Sequence, residues 1–255
     1  MNAAPKGVRR IADILDFIAR SRVAPSSRQI FEHLALPRSS GYDLLRGLAE
    51  RHFLHHQPSG HWVLGDEVYR LALSRFGLGR VASKIEPVLA ALQQATQETA
   101  QLAVLHNGGT FTTHAFKSAR STGVIAEVGT KVPVNWTAAG RLLVSGFSDR
   151  RLHHFFLTNA RPSPTRRAVM AVAVFSREAH DAAHRGYAIE FEQAQAGGCS
   201  VAAPVLGLQG NCVAAVSLVL PVTRFVGSRD TLVALVCATA AKLKATIDTP
   251  EAEAG

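Results

Sequence analysis

The first 65 residues set the strongest constraint on this chain: three segments of helical periodicity are followed by one alternating hairpin. In residues 8–21, Val8, Ile11, Ile14, Leu15 and Ile18 recur at helical spacing and give one apolar face. Pro25 breaks that helix, and Ser26-Ser27 supplies an N-cap for a short second helix that turns Ile30, Phe31 and Leu34 inward. Leu36-Pro37 ends it. A third helix, 38–52, places Tyr42, Leu45 and Leu48, with Leu44, on a buried stripe and leaves Arg38, Ser39, Asp43, Arg46 and Glu50 outside. FLHHQ and HWVLG then flank the turn Pro58-Ser59-Gly60. Three helices and a hairpin in this order make a winged helix-turn-helix.

The third helix begins Arg-Ser-Ser-Gly-Tyr, which packing alone does not require. Small hydroxyls and an arginine at a helix tip suit entry into the DNA major groove. Ser39 and Ser40 allow close approach, Gly41 leaves room, and Arg38 reaches phosphate or guanine. Ser27, Arg28, Tyr42, Arg46 and the hairpin residue His61 complete the expected contacts. Asp43 opposes phosphate, and instead orients Arg46 or accepts from a cytosine amine. The same serines also read as helix caps. Residues 1–80 carry 12 basic and 7 acidic side chains, a net +5, within a chain of 28 basic and 19 acidic residues. That balance fits a polyanionic partner without identifying it.

The other bulk properties narrow the class. The 255 residues suffice for two domains, with the two tails, 1–7 and 248–255, expected to be disordered. Three separated cysteines, Cys199, Cys212 and Cys237, support neither a disulfide framework nor a zinc site, and the histidines lack acidic or cysteine partners at metal-binding spacing. No metal or cofactor is expected, no apolar run reaches membrane-spanning length, and a cytoplasmic location follows, on the nucleoid when the protein is bound to DNA. Residues 66–79 read as a linker helix. Beyond it, a helix over 81–99 precedes strands QLAVLH and TFTTHAF around Asn107-Gly108-Gly109. A helix starting at Thr137 and another over 166–185 follow, then strands YAIEFE, CSVAAPVLG and NCVAAVSLVLP, and a last helix over 228–246. Hairpin-linked strands with grouped helices define an α+β domain with an antiparallel sheet.

With that order in place, ILDFIARS, SSRQIFEHLALPRSSGYDLLRGLAERHFL, TQETAQLAVL, VGTKVPVNWTAAGRLLVSGF, HRGYAIEFEQAQAGG and VAAPVLGLQG resemble the IclR family of bacterial transcription regulators. The resemblance implies a winged helix-turn-helix domain at 1–65, a linker helix at 66–79, a GAF-like effector-binding domain at 80–248 and a tail at 249–255. It also implies a homodimer or homotetramer on a pseudo-palindromic operator. By the same resemblance the effector site comprises Ala139, Gly140, Glu190, Ser200 and Ser217, and Val219 replaces a family serine.

Unpaired amides at the helix opening TAAG suit a carboxylate, although Thr137 equally well caps that helix. Trp136, Phe191 and Val219 point to an aromatic or otherwise apolar carboxylic acid as effector. The resulting expectation is a ligand-responsive regulator of a catabolic operon. The alternatives are an enzyme using His114, Glu190 or Cys199, or an architectural DNA binder without effector; no catalytic motif supports the first, and no catalytic residue is expected.

Overall fold

Helices α1 (Lys6–Arg20), α2 (Ser27–His33) and α3 (Arg38–Glu50) enclose a small core closed by a two-stranded wing, β1 (Leu54–His56) and β2 (Trp62–Leu64). The computed structural model describes residues 5–76, 78, 82–119 and 127–248, and the chain divides into two units, 1–75 and 76–255. Residues expected to form the tail at 249–255 lie outside the described part. In the first unit, Ile14 and Ile18 of α1 meet Ile30 and Phe31 of α2, Leu45 and Leu48 of α3, and Leu54 and Trp62 of the wing. Ser26 caps α2 through a reciprocal capping box with Gln29.

Three expectations for this unit change. Only the second half of the α1 stripe is used, since Val8 is 60% exposed and Ile11 is also exposed. Tyr42 is 57% exposed rather than buried, its ring edge-on to Phe31 at 4.9 Å. The inward position beside it is Gly41, where a Cβ would lie 2.5 Å from the Phe31 ring. Gly41 therefore serves core packing and does not make room for DNA. Helix α4 (Asp66–Ser74) occupies the first part of the expected linker 66–79, of which residues 77 and 79 lie outside the described part, and groups with the first unit.

The second unit is built on a six-stranded sheet, ordered β5-β4-β3-β8-β7-β6, with every neighbouring pair antiparallel. Its strands are β3 (Thr99–His106), β4 (Gly109–Phe116), β5 (Lys131–Pro133), β6 (Ala188–Phe191), β7 (Gly198–Leu206) and β8 (Cys212–Pro221). Asn107 and Gly108 both take positive φ between β3 and β4, the backbone of a tight primed hairpin turn. Helices α5 (Ala82–Thr96) and α10 (Arg229–Asp248) cover one face of the sheet. On the other lies α6 (Ala138–Val144), backed by α7 (Asp149–Asn159) and α8 (Val172–Arg185). A short α9 (Val222–Val226) follows β8.

Helix α7 is not expected from the sequence, and α8 starts at Val172 rather than at Arg166. Residues 160–171 are instead irregular, tied down by Asn135 Nδ2, which donates to the carbonyls of Arg161 and Val169. Small residues bring α6 onto the sheet: Ala103, Ala188, Ala202 and Ala215 floor the site, and Ala138, Ala139, Leu142 and Leu143 press down on it. Gly140 faces the backbone carbonyl of Val134, so even a methyl group there would collide with main chain. Overpacking of this kind costs about 1–3 kcal/mol or more. Gly140→Ala is expected to lower the urea midpoint of the second unit accordingly, with DNA binding lost only through unfolding.

Candidate nucleic-acid interface and effector site

On the first unit the tip of α3 is bare. Arg38 and Ser39 are exposed, and Ser40 donates to the Pro37 carbonyl at 3.3 Å. The three arginines singled out from sequence differ in their commitments. Arg46 donates to Asp43 at 3.1 Å and Arg28 to Glu32 at 2.7 Å, whereas Arg38 has no carboxylate partner among the described residues. The orientation of Arg46 by Asp43, one of the two sequence expectations, is present. Ser27 is half-buried, and its hydroxyl accepts from Trp62 Nε1 at 2.9 Å, so it fastens the wing to the start of α2. His61 reaches Ser59 at 3.2 Å across the wing turn, and its backbone bridges to Ser26. The aromatic ring of Trp62 also supports His56 at 4.5 Å.

The second site forms where the alanine floor under α6 gives way to polar side chains. In register across β6, β7 and β8 stand Glu190, Ser200 and Val219; two residues along lie Ala188, Ala202, Ser217 and, on β3, Gln101. Residues separated by two positions share a sheet face, so all of these belong to the side covered by α6. Gln101, Thr137, Glu190, Gly198, Ser200 and Val219 are among the residues enclosing a cavity of ≈ 40 Å³. On that measure one water occupies about 10–15 Å³, so the space accepts only a few heavy atoms.

Glu190 is 5% exposed. Its carboxylate accepts from Ser200 Oγ at 3.2 Å and from the Gln193 amide at 2.9 Å, while Ser200 Oγ in turn accepts from the Ala138 amide at 3.3 Å. Burial pushes the Glu190 carboxyl up to about 7, against the opposing pull of the Gln193 amide, Arg141 and Ser200. Arg141, buried within α6, is fully engaged by the Thr137 carbonyl, Glu178 and Gln193.

Not all the expected effector residues meet here. Glu190, Ser200 and Val219 do, while Ser217 lies behind the lining, paired in register with Gln101. Trp136 does not line the cavity, and its Nε1 donates to the Arg161 carbonyl at 2.8 Å. Phe191 points to the opposite face, 46% exposed, with its ring edge-on to Phe225. Ala139 packs on the alanine floor, and Gly140 is fixed by the Val134 carbonyl. The Gly140 amide is capped by Thr137 Oγ1 at 2.9 Å, so the capping role applies to that threonine. Gln101 was missed by the sequence reading; its signal is the single amide within the apolar run of TAQLAVL.

Of the residues weighed for catalysis, Glu190 and Cys199 both line the cavity and His114 does not. His114 pairs in register with Leu102, which places it on the opposite face from Gln101, and burial holds it down at about 4. Cys199 is a neutral thiol, pushed by burial up to about 12. Among the described residues no cluster suits a metal ion, and no helix is long and apolar enough to cross a membrane.

A winged helix-turn-helix unit joined to an α+β unit with a small cavity walled in part by Glu190, Ser200 and Gln101 is the plan of a one-component, effector-binding transcription regulator. The chain belongs to the IclR family. Residues 7–58 match the IclR helix-turn-helix domain, and residues 74–245 match the bacterial transcriptional regulator IclR C-terminal domain. It is similar to the glycerol operon regulatory protein of Streptomyces griseus, 28% identical over 220 residues that cover 86% of each chain. It is also similar to the transcriptional repressor IclR of Escherichia coli, 21% identical over 86% of this chain and 81% of that one. Among solved structures, an IclR homolog from Microbacterium hydrocarbonoxydans complexed with 4-hydroxybenzoate superposes with a TM-score of 0.64 at 20% identity, covering 95% of this chain and 99% of the other. The Thermotoga maritima IclR gives 0.62 at 22% identity, covering 93% and 98%. Both show a common fold.

The buried Glu190 has a measurable energetic signature. A carboxyl whose folded value is raised from 4.5 to about 7 stabilises the fold least when ionised, so stability falls as pH rises through that interval and levels off above it. Glu190→Gln removes the titration. The variant is expected to gain up to about 3 kcal/mol on the wild type between pH 5 and pH 8, read from urea midpoints at the two pH values.

Proposed function

We propose that this chain is a ligand-responsive regulator of a catabolic operon, acting in the cytoplasm as a homodimer or homotetramer on a pseudo-palindromic operator. Two copies of α3 read successive major grooves, with Arg38, Ser39 and Ser40 at the helix tip, Tyr42 and Arg46 on its exposed side, and Ser27, Arg28 and His61 beside the backbone. The observation that carries the DNA-binding part is the exposed α3 tip, where Arg38 is not committed to a carboxylate among the described residues. The wing is held to α2 by the Trp62–Ser27 hydrogen bond, so the backbone-contacting residues keep a fixed register.

The effector site is the cavity bounded by Glu190, Ser200, Val219 and Gln101, with Ser217 adjoining Gln101 in the sheet. Occupancy of this cavity changes DNA affinity only to the extent that the effector binds the DNA-competent and incompetent states unequally. Helix α4 belongs to the covalent connection between the units and is the element through which that difference passes. The organic acid expected from the sequence is one effector class, in keeping with the 4-hydroxybenzoate bound by the Microbacterium hydrocarbonoxydans relative. The name of the Streptomyces griseus relative points to glycerol metabolism, a second class with different chemistry.

Arg38→Ala tests the interface. Against fragments selected from a random DNA pool, the variant is expected to bind about tenfold or more weakly by fluorescence anisotropy, the loss typical of one good base or phosphate contact, while its melting temperature stays unchanged. Binding equal to the wild type would remove α3 as the reading helix.

A further inference from the structure

Glu190 is a carboxyl enclosed in the cavity wall with little opposite charge to answer it. No lysine, arginine or histidine is among the described residues lining the cavity. The charged and titratable groups packed around Glu190 are already engaged or neutral. From α6 comes Arg141, whose guanidinium is taken up by Glu178 of α8, by Gln193 and by the Thr137 carbonyl. From β7 comes Cys199, a thiol that burial keeps neutral. The loop after β6 adds Glu192, which is paired with Arg167. The lining residues from β3 and β8, Gln101 and Val219, bear no charge.

A small acid entering this space as its carboxylate sets a second acidic group against that carboxyl. Two carboxylates sharing one low-dielectric site do not both stay ionised, and one of them holds a proton. A free organic acid ionises at about 4, whereas burial has already pushed Glu190 up to about 7, so the proton belongs to Glu190. Its Oε2 accepts from the Gln193 amide at 2.9 Å. Its Oε1 meets Ser200 Oγ at 3.2 Å, a hydroxyl that both donates and accepts and therefore tolerates a protonated neighbour. In that state Glu190 donates a charge-assisted hydrogen bond to the incoming anion, where the ionised form repels it. Gln101 adds a second donor. Its Oε1, like Ser217 Oγ opposite it in the sheet, has no hydrogen-bond partner among the described residues, so the carbonyl end of that amide is not tied down and the NH2 group can turn to the anion.

We propose that effector binding in this cavity is proton-linked: a small monocarboxylic acid is bound as its anion together with one proton, taken from solvent and held on Glu190. The inference rests on the cavity being the effector site. With ≈ 40 Å³ to fill, a bound acid leaves no room for water to screen two charges, so the proton is part of the complex. The sign of the pH dependence follows. Below pH 7 the free protein already holds the proton, and pH changes affinity little. Above pH 7 every bound anion has to draw a proton from solvent, and affinity falls about tenfold per pH unit. At a fixed concentration of acid the regulator is therefore more fully occupied on the acidic side of neutrality.

Isothermal titration of the full chain tests the linkage, with propionate, lactate and 4-hydroxybenzoate as acids and glycerol as an uncharged comparator. Titrations at pH 8 in HEPES and in Tris, which differ in ionisation enthalpy, count the protons, and affinities are followed from pH 6 to pH 9. At least one acid is expected to bind saturably at one site per chain, to take up about one proton at pH 8, and to bind about tenfold more weakly at pH 9 than at pH 8. Glu190→Gln keeps a neutral donor at that position and cannot titrate. It should bind the same acid without proton uptake, with an affinity that no longer varies with pH. Acid binding by the wild type without proton uptake at pH 8, uptake that persists in Glu190→Gln, or loss of binding by that variant at every pH would each overturn the linkage while leaving the effector site in place. Saturable binding of glycerol and of none of the acids would do the same. No saturable binding by any of these probes at pH 6 would overturn both this inference and the effector-site reading beneath it.

Discussion

The close approach of α6 to the sheet is the constraint from which the rest of the second unit follows. It is made by subtraction: alanines on β3, β6, β7 and β8 provide the floor, and the absence of a side chain at Gly140 lets the helix meet the Val134 carbonyl. Dispersion contacts fall away within an ångström of separation, so a helix seated this low gains packing that bulkier residues would forfeit. The same seating buries Arg141, which a higher helix would leave to solvent, and obliges Thr137, Glu178 and Gln193 to satisfy it. At the N-terminal end of α6 the floor changes from alanine to Glu190, Ser200 and Val219. Packing fails there, and a cavity remains.

That local failure is where the fold departs from its own stability optimum. A carboxyl taken out of water, and an amide oxygen and a hydroxyl left without partners, each oppose folding. Apolar replacements would remove those penalties and the recognition chemistry with them. Around the cavity the structure is correspondingly firm. Gln193 binds Glu190 through its amide and Arg141 through its side chain, and its carbonyl accepts from Thr165, so the loop after β6 is held by three separate elements. Gly197 and Glu192 add a further tie within it.

Much of this architecture is legible in the sequence because hydrophobic period and turn chemistry agree along the chain. The three N-terminal helices, the Pro58-Ser59-Gly60 wing, the Asn107-Gly108 hairpin and strands β6 to β8 fall where those signals put them. The misreadings have identifiable causes. Helix α7 lies in DRRLHHFFLTN, where polar and aromatic residues blur the stripe of which only Leu152 and Phe156 are buried. The segment 160–171 contains alanine, arginine and methionine yet is irregular, because Asn135, remote in sequence, claims its carbonyls. Tyr42 and Gly41 exchange roles because a ring next to a glycine is read as core by hydropathy, whereas Phe31 already fills that space. At the cavity, strand parity identifies the inward face of Glu190 but not that Trp136 has a distant carbonyl for its indole. Gln101 escapes notice since one amide in an apolar strand has no pattern of its own.

The acid–arginine pairs on α2 and α3 carry a consequence for how the N-terminal unit would respond to ionic strength. Arg28 and Arg46 already hold an intramolecular anion in Glu32 and Asp43. In a DNA contact through either arginine, the freed carboxylate would stand beside the phosphates as a repulsion that salt screens, offsetting part of the affinity that counterion release makes salt-sensitive. Affinity for a duplex bound in that way would decline more gently with added salt than the basic composition alone suggests.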